Sequence, residues 1–161
     1  MILPLGWAAA APRFVGNDLR INITSTTPYF TWAGAAPFNG DANGDGVING
    51  LAFMLGAANP NANAVALLPV VTKSAGGLTL SFSMRNAANA GTTGMNVQHS
   101  SDLGVSDPWK TETIPAVNGI FGDITFVISA ISPTLNTVQA TISSSQAAQG
   151  RLFGRLQAEQ P

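Results

Sequence analysis

From Leu67 onward the chain is written in short segments whose apolar residues recur at every second position, divided by Gly, Pro, Ser and Asn. In LTLSFSMR (78–85), Leu78, Leu80, Phe82 and Met84 share one face, because successive strand side chains point to opposite sides. The same texture runs through LLPVVTK (67–73), MNVQHSS (95–101), WKTETI (109–114), DITFVISAI (123–131), TVQATIS (137–143) and RLFGRLQAE (151–159). Short strands at this spacing predict a mainly β chain, an antiparallel β-sandwich of immunoglobulin or jelly-roll type. Residues 67–161 are expected to form it, with Asn86 to Gly94 a small-residue loop. No 20–50-residue repeat is present.

Ahead of the sandwich, residues 28–66 hold an aromatic segment (Phe30, Trp32, Phe38), a polar loop and a short helix. The loop is DANGDGVINGLAFMLG, Asp41 to Gly56. Asp41, Asn43, Asp45, Val47 and Asn49 stand at alternate positions, and Gly46 sits where a sharp turn is needed. Calcium takes six to eight oxygens at roughly 2.3–2.6 Å, and such loops supply them from positions 1, 3, 5, 7 and 9, position 7 through its backbone carbonyl. Two of the chain's eight carboxylates fall in this one loop. Position 12, which should be Glu or Asp, is Ala52, so a bound calcium is expected to be held weakly. A water, a backbone carbonyl, Asp18, Asp102, Asp107, Asp123 or a neighbouring subunit could fill the gap. The plainer reading is an Asx-rich turn with Asn49 as the N-cap of a helix that Gly56 ends.

Charged residues make up 9% of the chain, against about 25% in ordinary soluble domains. Net charge is −1 and the basic residues are scattered, so nucleic acid is not expected as a partner. Cysteine is absent, which excludes disulfides and thiolate metal sites. No apolar run reaches the 18 or so residues of a membrane helix. Ala, Gly, Ser, Thr and Asn fill the surface, as in an extracellular β domain or a surface buried between copies.

Residues 1–27 read as an apolar N-terminal segment plus one half-buried strand, DLRINIT (18–24), with Leu19, Ile21 and Ile23 in phase. MILPLGWAAAAP has the apolarity of a leader peptide, but it lacks a basic start and is broken by Pro4 and Gly6. It is expected to pack on its own domain or to insert into a neighbour. About eleven extended residues reach about 36 Å, enough to cross one sandwich.

Catalytic constellations are weak. His99 is the only histidine, and Ser100 beside it points to the opposite face of a strand. Asp102, Asp107, Glu112 and Asp123 have nothing in the sequence to pair them across a cleft. Trp7, Trp32 and Trp109 could stack on sugars, although core or interface packing is the ordinary use of such residues. Asn22-Ile23-Thr24 is a glycan acceptor only in a suitable host.

YFTWA (29–33), DANGDGVINGLAFMLGAANP (41–60), LLPVV (67–71), GLTLSFSMR (77–85), HSSDLGVSDPW (99–109) and GRLFGRLQ (150–157) follow one another in an order that resembles a known module. It is the small C-terminal β-sandwich of large secreted and cell-surface proteins of Verrucomicrobia and Planctomycetes. The loop also resembles dockerin and thrombospondin type 3 calcium loops. The resemblance covers about residues 28–161 and implies an extracellular, calcium-stabilised, non-catalytic module, with the ligand roles on Asp41, Asn43, Asp45, Val47 and Asn49. Ala52 and Phe53 replace the family's Glu and Tyr. Where the family module ends a long protein, here it makes up nearly the whole chain, with residues 1–27 added in front. The expected function is a bacterial-surface structural protein that self-assembles into a homo-oligomer or filament through its N-terminal segment. The alternative is a carbohydrate-binding or anchoring module with a polysaccharide partner.

Overall fold

The computed structural model describes residues 7–9, 11–16, 18–21, 23–25 and 27–160. Met1 to Gly6, whose packing the sequence raised, and the sequon residue Asn22 lie outside the described residues.

The chain is a mainly β, antiparallel β-sandwich. One sheet has five strands: β5 (Val70–Ser74), β6 (Gly77–Arg85), β9 (Gly119–Phe121), β10 (Ile124–Ala130) and β11 (Leu135–Ser143), in the order β5-β6-β11-β10-β9. The other has three: β7 (Gly94–Ser100), β8 (Lys110–Thr113) and β12 (Phe153–Glu159), in the order β12-β7-β8. The period-2 pattern sets the register. Leu80, Ala140 and Phe126 face one another across three strands, with the small Ala140 between two large side chains, and Leu78, Ile142 and Ile124 form an all-large row. The facing sheet contributes Met95, Val97 and Ala158. Gly154 of β12 lets the sheets approach closely: a Cβ there would lie 2.9 Å from the terminal methyls of both Leu80 and Ile142.

Three strands do not cover five. Two short helices, α1 (Pro28–Ala33) and α2 (Asn49–Met54), supply apolar side chains to the same core. Tyr29, Phe53, Met54 and Leu55 are each 1% exposed and cluster with Leu80, Phe126 and Val138. The aromatic segment is therefore helical and shares the sandwich core. A third helical turn, α3 (Ala87–Ala90), lies inside the stretch expected to be a loop, with the Asn86 side chain accepting from Asn89 N–H as its cap. Strand β9 had no clear sequence signal, being three residues of Gly-Ile-Phe.

The N-terminal part departs furthest from expectation. It holds four short strands: β1 (Trp7–Ala9), β2 (Arg13–Val15), β3 (Asp18–Arg20) and β4 (Ile23–Ser25). Strand β1 pairs with β4 and β2 with β3, so the chain doubles back as a two-stranded ribbon around Gly16. The expected half-buried strand at 18–24 is thus two strands, and β3 is exposed along its length. Its alternation was real: Leu19 faces the same side as Phe14 across the ribbon. Phe14 is 76% and Leu19 59% exposed on that side.

Gly76 and Gly77 follow each other at the β5–β6 turn but carry different constraints. Gly77 has φ +145, and a Cβ there would collide with the Ile142 carbonyl oxygen of the neighbouring strand. At Gly76 the nearest atom to a Cβ is the Ser74 hydroxyl at 3.6 Å. Gly77→Ala is expected to lower unfolding free energy by about 2–4 kcal/mol, while Gly76→Ala stays within about 0.5 kcal/mol, as measured by urea denaturation.

Candidate functional site

The Asp41–Asn49 loop leaves α1 and enters α2, and its side chains organise its own backbone. The Asp41 carboxylate accepts from Gly44 N–H (2.9 Å) with one oxygen and from Gly46 N–H (2.8 Å) with the other. The Asn43 carbonyl accepts from Asp45 N–H (3.0 Å), and Asp45 accepts from Val47 N–H (2.8 Å). Gly46, at φ +86, allows the reversal that brings its N–H back to Asp41. Asn43 Nδ2 also donates to Asp45 (3.1 Å), so Asp41, Asn43 and Asp45 belong to one turn.

Asn49 is placed apart from them. It is 1% exposed, its amide nitrogen donates to the Pro37 carbonyl (2.8 Å), and its amide oxygen accepts from Ala42 N–H (3.2 Å). Its backbone N–H donates to the Gly40 carbonyl, and Gly50 N–H to that of Phe38. Asn49 closes the base of the loop, and the N-cap of α2 is Ile48, with no side-chain cap. At the other end the cap residue is Leu55, with Gly56 just beyond it at φ +92. Val47 buries its side chain and gives its N–H to Asp45.

Ala52, at the position of the missing carboxylate, is buried in a small apolar cluster with Val47, Ala57 and Ala64. The chain after α2 folds back over the loop there. Ala64 N–H donates to the second Asp45 oxygen (2.6 Å), and the Ala62 carbonyl accepts from Asn43 Nδ2 (2.8 Å). Protein groups from 62–64 thus contact the loop where a twelfth-position carboxylate was missed. The other carboxylates weighed for that place are engaged elsewhere. Asp18 pairs with Arg20 at 3.6 Å, and Asp123 lies 4.0 Å from His99. Asp102 accepts from Val105, Ser106 and Asp107 N–H, and Asp107 from Ser101. No group of three His, Cys, Asp or Glu suited to a metal forms among the described residues.

Two carboxylates share one exposed turn, and among the described residues neither is in an ion pair. Each carboxylate has about four acceptor sites. Asp41 uses two of them on N–H groups and Asp45 three. Oxygen donors and uncompensated negative charge fit calcium, while two carboxylates in place of three or four fit weak binding. The same network would also hold the turn together without an ion.

Of the remaining sequence candidates, the Trp7 side chain lies outside the described residues, and His99, Ser100, Trp32 and Trp109 have defined neighbours. His99 is 1% exposed on the inner face of β7, and Ser100 on the other face donates to the Asp107 carbonyl (2.8 Å). Trp32 donates its indole N–H to the Ala57 carbonyl (2.7 Å) within the aromatic cluster. Trp109 carries the Arg155 guanidinium 4.0 Å above its ring. Sequence reasoning missed Arg85, which donates from Nε to the Phe53 carbonyl (2.8 Å) and from Nη2 to the Ala57 carbonyl (3.1 Å). A lone Arg ending a long apolar strand was the available signal. Comparison with protein families, with curated proteins and with solved structures gives no match.

Three carboxylates and His99 titrate below their ordinary values, as does Arg85 through burial. Asp45 is lowered by the Ala64 and Val47 N–H groups, Asp102 by Ser106, and Asp107 by Ser101. His99 is lowered by burial and then by Lys110. A depressed carboxylate stabilises the fold above its unfolded pKa of about 4, and that contribution is lost as pH falls. A depressed histidine favours its neutral form, so its contribution is lost as pH falls below about 6.5. Both act in one direction. The urea midpoint is expected to be flat above pH 7, to fall first as pH drops below about 6.5, and to fall again below about 4. His99→Asn should remove only the first decline.

Proposed function

We propose that the protein is a non-catalytic extracellular structural subunit, a β-sandwich stabilised by calcium in the 41–49 loop, which self-assembles through its N-terminal ribbon. The observation that carries this reading is the ribbon itself. Strands β1–β4 place Phe14 and Leu19 together on a solvent-facing side. A lone two-stranded ribbon is marginal in water and gains stability when an apolar face is covered. Strands that present unpaired backbone groups and apolar side chains are a common route to association between copies. A chain with 9% charged residues offers little repulsion against it.

Calcium fits this role as a clamp. The loop joins the 37–40 segment below it to the 62–64 segment above it, so an ion there would stiffen the entry to α2. Weak calcium loops suit extracellular modules, whose affinities are about 10⁻⁴–10⁻³ M. At about 10 mM calcium the expected stabilisation is about 1–3 kcal/mol, or roughly 3–10 °C in Tm. Differential scanning calorimetry with calcium and with chelator measures it, and Asp45→Asn should abolish the difference. A Tm indifferent to calcium would remove the clamp.

Assembly has a separate test. Removing residues 1–26 should leave a folded monomer by size exclusion and circular dichroism, at concentrations where the full chain forms larger species. A shortened chain that assembles like the full one would overturn the ribbon's role.

A further inference from the structure

We propose that the outer face of the three-stranded sheet binds an acidic polysaccharide, holding a uronic-acid carboxylate on the Arg155 guanidinium. The site stands apart from the N-terminal ribbon and the 41–49 loop. It gives the polysaccharide partner weighed from the sequence a place and a chemistry.

Gln98 is the centre of this face. Strand β7 sets it opposite Arg155 of β12 and Thr111 of β8, and it is 7% exposed. An arginine side chain carries donors and no acceptor. Arg155 Nε donates to Gln98 Oε1 (2.7 Å), so this contact fixes which end of the Gln98 amide is the oxygen. Gln98 Nε2 then donates to Thr111 Oγ1 (2.8 Å) and to Gln157 Oε1 (2.6 Å). Both neighbours thus turn an acceptor oxygen inward to Gln98. What they and Arg155 leave over is donors: Nη1 and Nη2 of Arg155, Nε2 of Gln157 and the Thr111 hydroxyl hydrogen. Among the described residues none of these donors has a partner, and Arg155 is in no ion pair. Arg155, Gln157 and Thr111 are all exposed.

The guanidinium is also held in place. It lies 4.0 Å above the Trp109 ring, and that ring sits against Gly104, where a Cβ would lie 2.7 Å from Cδ1 and Nε1. One face of Trp109 is therefore taken by Arg155 and not offered to a sugar. Nearby carboxylates are turned elsewhere. Glu112 lies against Gly122, and Asp102 and Asp107 accept from N–H groups of their own 101–107 loop. Lys110 is next to Thr111 on the opposite face of β8 and donates to Gln146 (2.6 Å). Beside Arg155 a groove of about 280 Å³ runs between Gln98 and Gln157 on one side and Ile48 and Leu51 on the other.

A single fixed cation among neutral donors selects its ligand. The paired Nη groups match a planar carboxylate. A peptide would bring N–H groups that find no acceptor on this face. Nucleic acid would ask for cations along a row of phosphates. A uronic-acid chain spaces its carboxylates among hydroxyl and ring oxygens, all of which accept, and its C–H surfaces suit Ile48 and Leu51.

The test titrates the full-length protein with galacturonate, mannuronate and glucuronate oligomers by isothermal titration calorimetry. Methyl-esterified galacturonate and poly-glutamate are the controls. At least one uronate oligomer should bind, and neither control should match it. Arg155→Gln should weaken that binding by about 10- to 100-fold. Arg155→Lys should also weaken it, because an ammonium keeps the charge and loses the fork. Gln157→Glu should do the same by setting a carboxylate beside the guanidinium. These changes lie at exposed positions, so each variant should keep the wild-type circular dichroism spectrum and size-exclusion profile. The absence of binding to every uronate, or binding that Arg155→Gln leaves intact, overturns the proposal. Equal binding of the methyl ester overturns the carboxylate, and equal binding of poly-glutamate overturns the sugar. None of these outcomes touches the ribbon's role in assembly.

Discussion

The burial of Phe53 holds the two halves of this molecule together. Its ring stands perpendicular to Tyr29, with centroids 5.5 Å apart, and lies 5.5 Å from Trp32. The Arg85 guanidinium covers it at 4.6 Å and donates to its carbonyl. One residue of α2 thus meets α1, the last residue of β6 and the sandwich core. The three-stranded sheet is too narrow to seal the five-stranded one, and the helix pair fills the difference. Arg85 adds a constraint that apolar packing lacks: its two donors fix the positions of the Phe53 and Ala57 carbonyls, orienting the end of α2.

The loop acts on that same joint. Asn49 closes its base, Asp45 reaches Ala64, and Trp32 and Arg85 both donate to the carbonyl of Ala57. The loop is thereby tied to the segment that leaves α2 as well as to the one that enters it. Ala52 is small because its side chain faces Val47, Ala57 and Ala64, and a carboxylate there would lie among methyl groups. Where a sensor loop opens a helix pair when it binds calcium, this helix enters the aromatic core beside the next residue. A calcium bound there, as proposed, would act as a fixed clamp and not as a switch.

The sandwich was legible in the sequence because each strand carries its own period. LTLSFSMR and TVQATIS alternate strictly, DITFVISAI departs only at the outward-facing Val127 and at Ile131, and the observed ladders keep those faces. The loop was legible because its residue types are spaced by backbone geometry. What escaped was tertiary. YFTWA has no capping side chain and too few residues to show a helical period, so its helix depends on the core that receives Tyr29. Asn49 satisfied the loop pattern by position, while its burial and its two amide hydrogen bonds follow from where 37–40 crosses the helix. The ribbon is not legible in DLRINIT because its pairing joins strands on either side of Gly16, and no period within 18–24 marks that.

The surface outside these joints is uniform in a way that bears on association. Thr72, Thr79, Thr141 and Thr125 form one row across the outer face of the five-stranded sheet, with no charge among them. The edge strand β5 is exposed along its whole length and is guarded by Lys73 and by Pro69 at its start. Natural sheets usually place more charge at such edges, because an unpaired strand is a template for any other. A chain that leaves its edge so lightly guarded gains from a stronger, directed contact that sets how copies meet before edges do. In the proposed assembly Phe14 and Leu19, which face the same side of one ribbon, would be the directional element. In the proposed assembly, the low charge that weakens defence against edge pairing would also remove the repulsion that opposes the ribbon contact.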